Sequence, residues 1–91
     1  MASNTQEWIT LTFSPSGAMK QVCLVGDFNQ WKVGLDPMKK ITDGSFRITK
    51  KLPWGRYEYK FYADGIYCDD PQARDQTVNS FGTRNSVLKV G

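Results

Sequence analysis

Apolar residues recur at every second position over much of this chain, the spacing of half-buried β-strands rather than helices. In Trp8-Ile9-Thr10-Leu11-Thr12-Phe13, the residues Ile9, Leu11 and Phe13 share one face. Ser14-Pro15-Ser16-Gly17 ends that strand with turn formers. A second strand, Lys20 to Val25, directs Val22 and Leu24 inward and Cys23 outward. An irregular loop follows to about Lys40, and Asp43-Gly44 marks a hairpin because both residues tolerate positive φ. Phe46, Ile48 and the stem of Lys50 alternate along the next strand, and Leu52-Pro53-Trp54-Gly55 reads as a turn.

The clearest strand is Arg56 to Ala63. Tyr57, Tyr59 and Phe61 fall on one face, and Glu58, Lys60 and Tyr62 on the other. Asp64-Gly65 is a second hairpin turn, Ile66-Tyr67-Cys68 begins the return, and Asp69-Asp70-Pro71 stops it, since proline has no ladder donor. Residues 72–83 are polar and turn-rich. Asn85 to Val90 reads as a last strand, with Val87 on one face and Leu88 and Val90 on the other. About seven short antiparallel strands with regular turn signals predict an all-β sandwich or small barrel, with residues 1–91 forming a single domain.

Composition narrows the function classes. The 91 residues are 40% hydrophobic and 23% charged, as in a folded globular chain. No apolar run approaches the roughly 20 residues that span a membrane. Met1 to Glu7 shows no basic region followed by an apolar stretch, so a cytoplasmic location is the default expectation. Histidine is absent, which removes the commonest general base and the commonest nitrogen ligand for metals. Cys23 and Cys68 are not at metal-ligand spacing and read as reduced thiols. No cofactor or metal is expected. The net charge of +3 comes from scattered basic residues, a modest balance for a nucleic-acid binder.

The aromatics carry the candidate chemistry. Phe13, Phe46, Tyr57, Tyr59 and Phe61 lie on apolar faces and read as core. Trp31, Trp54, Tyr67 and Phe81 lie in or beside turn-rich segments. Trp31 closes the run Gly26-Asp27-Phe28-Asn29-Gln30-Trp31, where such a ring either folds back as a lid or is held out for a ligand. Exposed rings stack on the C–H faces of pyranose sugars, while neighbouring polar groups read the hydroxyls. Trp54 reads as the cap of its own turn. Asp69 and Asp70 point to opposite faces of extended chain and do not form an acid/base pair. Lys60 projects from the polar face of its strand, either solvated or reading a ligand.

In order along the chain, Val22-Cys23-Leu24-Val25-Gly26-Asp27-Phe28-Asn29-Gln30-Trp31, Tyr57-Glu58-Tyr59-Lys60-Phe61, Asp64-Gly65, Asp70-Pro71 and Gly82-Thr83-Arg84-Asn85 resemble carbohydrate-binding module family 48. The similarity spans about residues 7–90. It implies an immunoglobulin-like β-sandwich without catalytic activity that binds α-1,4-glucans. The family's site residues fall on Trp31, Lys60, Tyr67, Phe81, Thr83 and Asn85. Tyr67 stands where the kinase-type members have tryptophan, and Phe81 where they have leucine. The resemblance therefore implies binding of glycogen, starch or maltooligosaccharides, with Trp31 and Tyr67 stacking. Two other functions compete. One is a structural module packed on a catalytic domain or partner protein. The other, single-stranded nucleic-acid binding, is disfavoured by the modest charge.

Overall fold

The computed structural model describes residues 5–91; Met1 to Asn4, part of the amino-terminal segment read above, lie outside the described residues. Eight strands follow in order: β1 (Gln6–Phe13), β2 (Val22–Gly26), β3 (Lys39–Lys40), β4 (Phe46–Pro53), β5 (Gly55–Ala63), β6 (Ile66–Cys68), β7 (Asp75–Val78) and β8 (Arg84–Val90). They form two antiparallel sheets. One has the order β1-β4-β3; the other has the order β2-β5-β8-β7, with β6 also paired to β5. The chain is thus the expected all-β, immunoglobulin-like sandwich, with eight strands among the described residues where the periodicity predicts about seven.

Alternation places most of the core as expected, but Tyr57, read as core, is only half-buried near one end of its strand and donates its hydroxyl to the Pro53 carbonyl at 2.6 Å. Leu11 and Phe13 from β1 meet Val22, Leu24, Phe46, Tyr59, Phe61 and Ala63 in one buried cluster, with Ile9 and Ile48 packed against it. The Phe13 and Phe61 rings sit 4.8 Å apart, one from each sheet. β5 is the spine of the larger sheet. Val22 to Gly26 pair along one of its edges, while β6 and β8 share the other.

Four local expectations change. Residues 72–83 are not all turn, because Asp75–Val78 forms an edge strand on β8. Its sequence, Asp75-Gln76-Thr77-Val78, has too little apolar alternation to announce a strand; the neighbour's backbone supplies the order. Lys39–Lys40 pairs with Phe46 and Arg47 instead of ending the irregular loop. Just before it, Leu24 N–H donates to the Asp36 carbonyl at 2.9 Å and Met38 N–H to the Val22 carbonyl at 2.8 Å. This short segment therefore touches both sheets. Leu52 and Pro53 finish β4, with Leu52 buried, so the turn is confined to Trp54. Trp54 does not simply cap that turn: its ring lies against Gly91, where an added Cβ would meet it at 2.6 Å.

Asp64 does more than turn its hairpin. Its carboxylate accepts the backbone N–H groups of Lys20 and Gln21, both at 2.8 Å, and ties the β5–β6 turn to the entry of β2. Asp70 is buried. It accepts the Tyr59 hydroxyl at 2.5 Å, and its own N–H donates to Ser86 Oγ at 2.9 Å. Burial, with Asp70 beside it, pushes the Tyr59 phenol well above its ordinary value. Both cysteines are free thiols. Among the described residues no helix is long and apolar enough to cross a membrane.

Candidate functional site

The site begins with how the fold presents Trp31. Gly26 ends β2 where nothing larger fits: a Cβ there would lie 2.6 Å from the Glu58 carbonyl oxygen and 2.8 Å from Tyr59 Cβ. A 3-10 turn over Asp27–Asn29 follows, then Gln30 and Trp31 in succession in the left-handed region, at φ 55° and 59°. For non-glycine residues each such conformation costs roughly 1–3 kcal/mol and persists only where surroundings enforce it. Asn29 is that enforcement. Only 4% exposed, it accepts Gly26 N–H at 3.0 Å and donates to the Leu24 carbonyl at 3.0 Å and Asp36 Oδ2 at 2.8 Å. Asp36 is held in turn by Lys50 Nζ at 2.9 Å.

Asp27 fixes the ring itself. Trp31 Nε1–H donates to Asp27 Oδ1 at 3.1 Å, and Asp27 Oδ2 accepts Glu58 N–H from β5 at 2.8 Å. The indole is thereby tied to the outer face of the larger sheet. Its polar edge is occupied, and the half-buried ring lines the groove described below.

The rest of the site comes from that same outer face and the loops beside it. Tyr59 and Phe61 point into the core, so Glu58 and Lys60 point out. Tyr67, on β6, stands 54% exposed and is braced by Tyr62 across the strand pair, with ring centroids 4.8 Å apart at 61°. Phe81 is 89% exposed at the tip of a tight turn, which Asn79 holds from within. Asn79 Oδ1 accepts the N–H groups of Phe81 and Thr83 at 2.9 and 3.2 Å. Asn79 Nδ2 donates to Thr83 Oγ1 at 2.6 Å and Asn85 Oδ1 at 3.1 Å.

A groove of about 720 Å³ results, lined by Asp27, Trp31, Glu58, Lys60, Tyr67, Asn79, Phe81, Thr83 and Asn85. All six candidates, Trp31, Lys60, Tyr67, Phe81, Thr83 and Asn85, share this groove, although 54 residues of chain separate the first from the last. Lys60 is neither solvated nor isolated: its side chain is only 13% exposed, its Nζ reaches Thr83 Oγ1 at 3.4 Å, and Asp69 Oδ1 lies 4.0 Å away. Trp54 is elsewhere. Three lining residues escape the sequence reading. Asp27 belongs there to a run of turn formers, Asn79 falls unremarked in the turn-rich stretch 72–83, and Glu58 reads as an ordinary polar strand position. The signal for Glu58 was its place two residues before Lys60 on one face. The Asn85 hydrogen bond at 3.0 Å, then that of Arg56 at 2.9 Å, hold its carboxyl below the ordinary range.

Chemically, the groove offers flat apolar rings beside an ammonium, two amides, two hydroxyls and two carboxylates. That combination suits a ligand with apolar faces and a rim of hydroxyls. A family model described as the glycogen recognition site of AMP-activated protein kinase matches residues 9–91. The chain belongs to that family. It is also 30% identical over 83 residues to cruciform DNA-recognizing protein 1 from two strains of Saccharomyces cerevisiae, RM11-1a and S288c. The match covers 87% of this chain and 17% of each yeast protein, so the chain spans about a sixth of the length of these relatives.

Proposed function

We propose that this protein is a carbohydrate-binding module that holds α-1,4-glucans (glycogen, starch or maltooligosaccharides) without catalysing their reaction. The convergence of Trp31, Lys60, Tyr67, Phe81, Thr83 and Asn85 on one groove carries this reading. Trp31 and Tyr67 supply stacking surfaces, Phe81 adds an apolar edge, and Lys60, Thr83 and Asn85 address hydroxyls, some through water. The groove is shallow, which fits affinity in the micromolar to millimolar range, about −8 to −4 kcal/mol. A non-catalytic role agrees with the state of Glu58. A general acid for glycoside cleavage needs a raised pKa, whereas the contacts of Glu58 depress it. We place the protein in the cytoplasm, acting as one domain.

Calorimetric titration with maltoheptaose tests the proposal, followed in parallel by the indole N–H resonances of the three tryptophans. Saturable binding that shifts the Trp31 resonance, leaves Trp8 in place and is lost in Trp31→Ala is the expected result. Absence of binding at millimolar sugar, or undiminished binding in Trp31→Ala, refutes it.

A second role, compatible with the first, draws on the opposite side of the sandwich. Trp8 is 68% exposed on the outer face of the smaller sheet, with Lys51 Nζ 6.0 Å from its ring centroid. An exposed ring beside a cation fits contact with a catalytic domain or partner protein. A specific partner lost from pull-down in Trp8→Ser would support it. Nucleic acid lies outside our reading, despite the name of the yeast relatives, because a net charge of only +3 from scattered basic residues would neutralise few phosphates. Accordingly, oligonucleotides should show no salt-sensitive binding.

A further inference from the structure

Resting on the glucan reading, we propose that the groove selects neutral glucans and rejects those carrying phosphate monoesters, with Glu58 and Asp27 as the discriminating residues. The protein as a whole is cationic at +3, yet its groove is not. Two carboxylates line it, Asp27 and Glu58, against one ammonium, Lys60. The charges just behind cancel: Arg56 pairs with Glu58 at 2.9 Å, and Asp69 faces Lys60 at 4.0 Å. The lining side chains therefore sum to −1 inside a positive molecule, and Lys60 and Arg56 each already have an acidic neighbour.

Neither carboxylate can swing away cheaply. Asp27 is held by the Trp31 indole and by Glu58 N–H, and Glu58 by Asn85 and Arg56. Fixed carboxylates keep spare lone pairs that accept sugar hydroxyls. A phosphate monoester brings about −1.5 to −2 charges at pH 7 and has almost no proton to offer them. Bound in the groove, it meets repulsion that water outside would screen.

The test compares maltoheptaose with a maltoheptaose bearing one phosphate monoester, titrated into the intact chain. Tighter binding of the neutral sugar by about tenfold at low salt is expected. The ratio should shrink as ionic strength rises, because screening acts on charge and not on shape. Glu58→Gln should narrow the ratio and Arg56→Gln should widen it. Equal affinities in the unaltered chain overturn the selectivity while leaving glucan binding intact. A ratio unmoved by salt and by both substitutions assigns the exclusion to shape and also overturns it. Failure of both sugars to bind removes the glucan reading itself, and this proposal with it.

Discussion

Replacing Asn29 with alanine isolates the device that presents Trp31. The side chain is 4% exposed and makes three hydrogen bonds, so its loss strands the Gly26 N–H, the Leu24 carbonyl and one bond of the Asp36 carboxylate. Two neutral bonds contribute about 1 kcal/mol each, and a bond to a charged group about 1.5–3. Asp36 keeps its Lys50 partner, so the lower figure applies there. The expected loss is about 3.5 kcal/mol, from a total of roughly 5–14 for a domain of this length. Urea unfolding should show it directly, and thermal unfolding should show Tm lower by at least about 14 °C. The left-handed pair Gln30 and Trp31 should relax as well, so the Trp31 indole N–H loses its Asp27 partner and glucan affinity falls. Asn29→Asp sharpens the test. It sets a carboxylate against Asp36 and should be worse than alanine at pH 7, with part of the loss recovered on acidification. A cost below about 1 kcal/mol in Asn29→Ala, with the Trp31 resonance unmoved, would show that the loop holds itself and refute the argument.

Two further outcomes follow from the same geometry. Gly26→Ala should destabilise by about 2–3 kcal/mol in urea unfolding, because its Cβ would meet β5 backbone at 2.6 Å rather than a movable side-chain end. Asp64 sets a pH dependence: backbone N–H bonds from Lys20 and Gln21 hold its carboxyl below the ordinary 3.8 in the fold. A depressed folded pKa stabilises above the unfolded value and loses that contribution as pH falls through the folded one. Stability should therefore drop below about pH 4, and Asp64→Asn should flatten that limb of the unfolding curve; an unchanged acid limb would contradict it.

Much of this architecture is local and so was legible in the chain. Alternation in Ile9-Thr10-Leu11-Thr12-Phe13 and Tyr57-Glu58-Tyr59-Lys60-Phe61 decides which side chains face inward, because a strand turns successive residues to opposite faces. Asp43-Gly44 and Asp64-Gly65 mark their turns through backbone conformations that few other residues tolerate; both glycines and Asp64 do lie at positive φ. The motif resemblance also pointed to the six groove residues, though it left open whether they meet.

Only the tertiary structure decided the rest. β7 exists because β8 offers it a ladder, not because Asp75-Gln76-Thr77-Val78 favours a strand. Asp27 reads as a turn former until β5, 31 residues on, brings Glu58 N–H to its second oxygen. Lys60 gains Thr83 across 23 residues. Side-chain direction is a property of neighbouring backbone, which sequence spacing records. Convergence, and with it the local sign of charge in the groove, depends on which distant strands pair, and no short-range pattern encodes that.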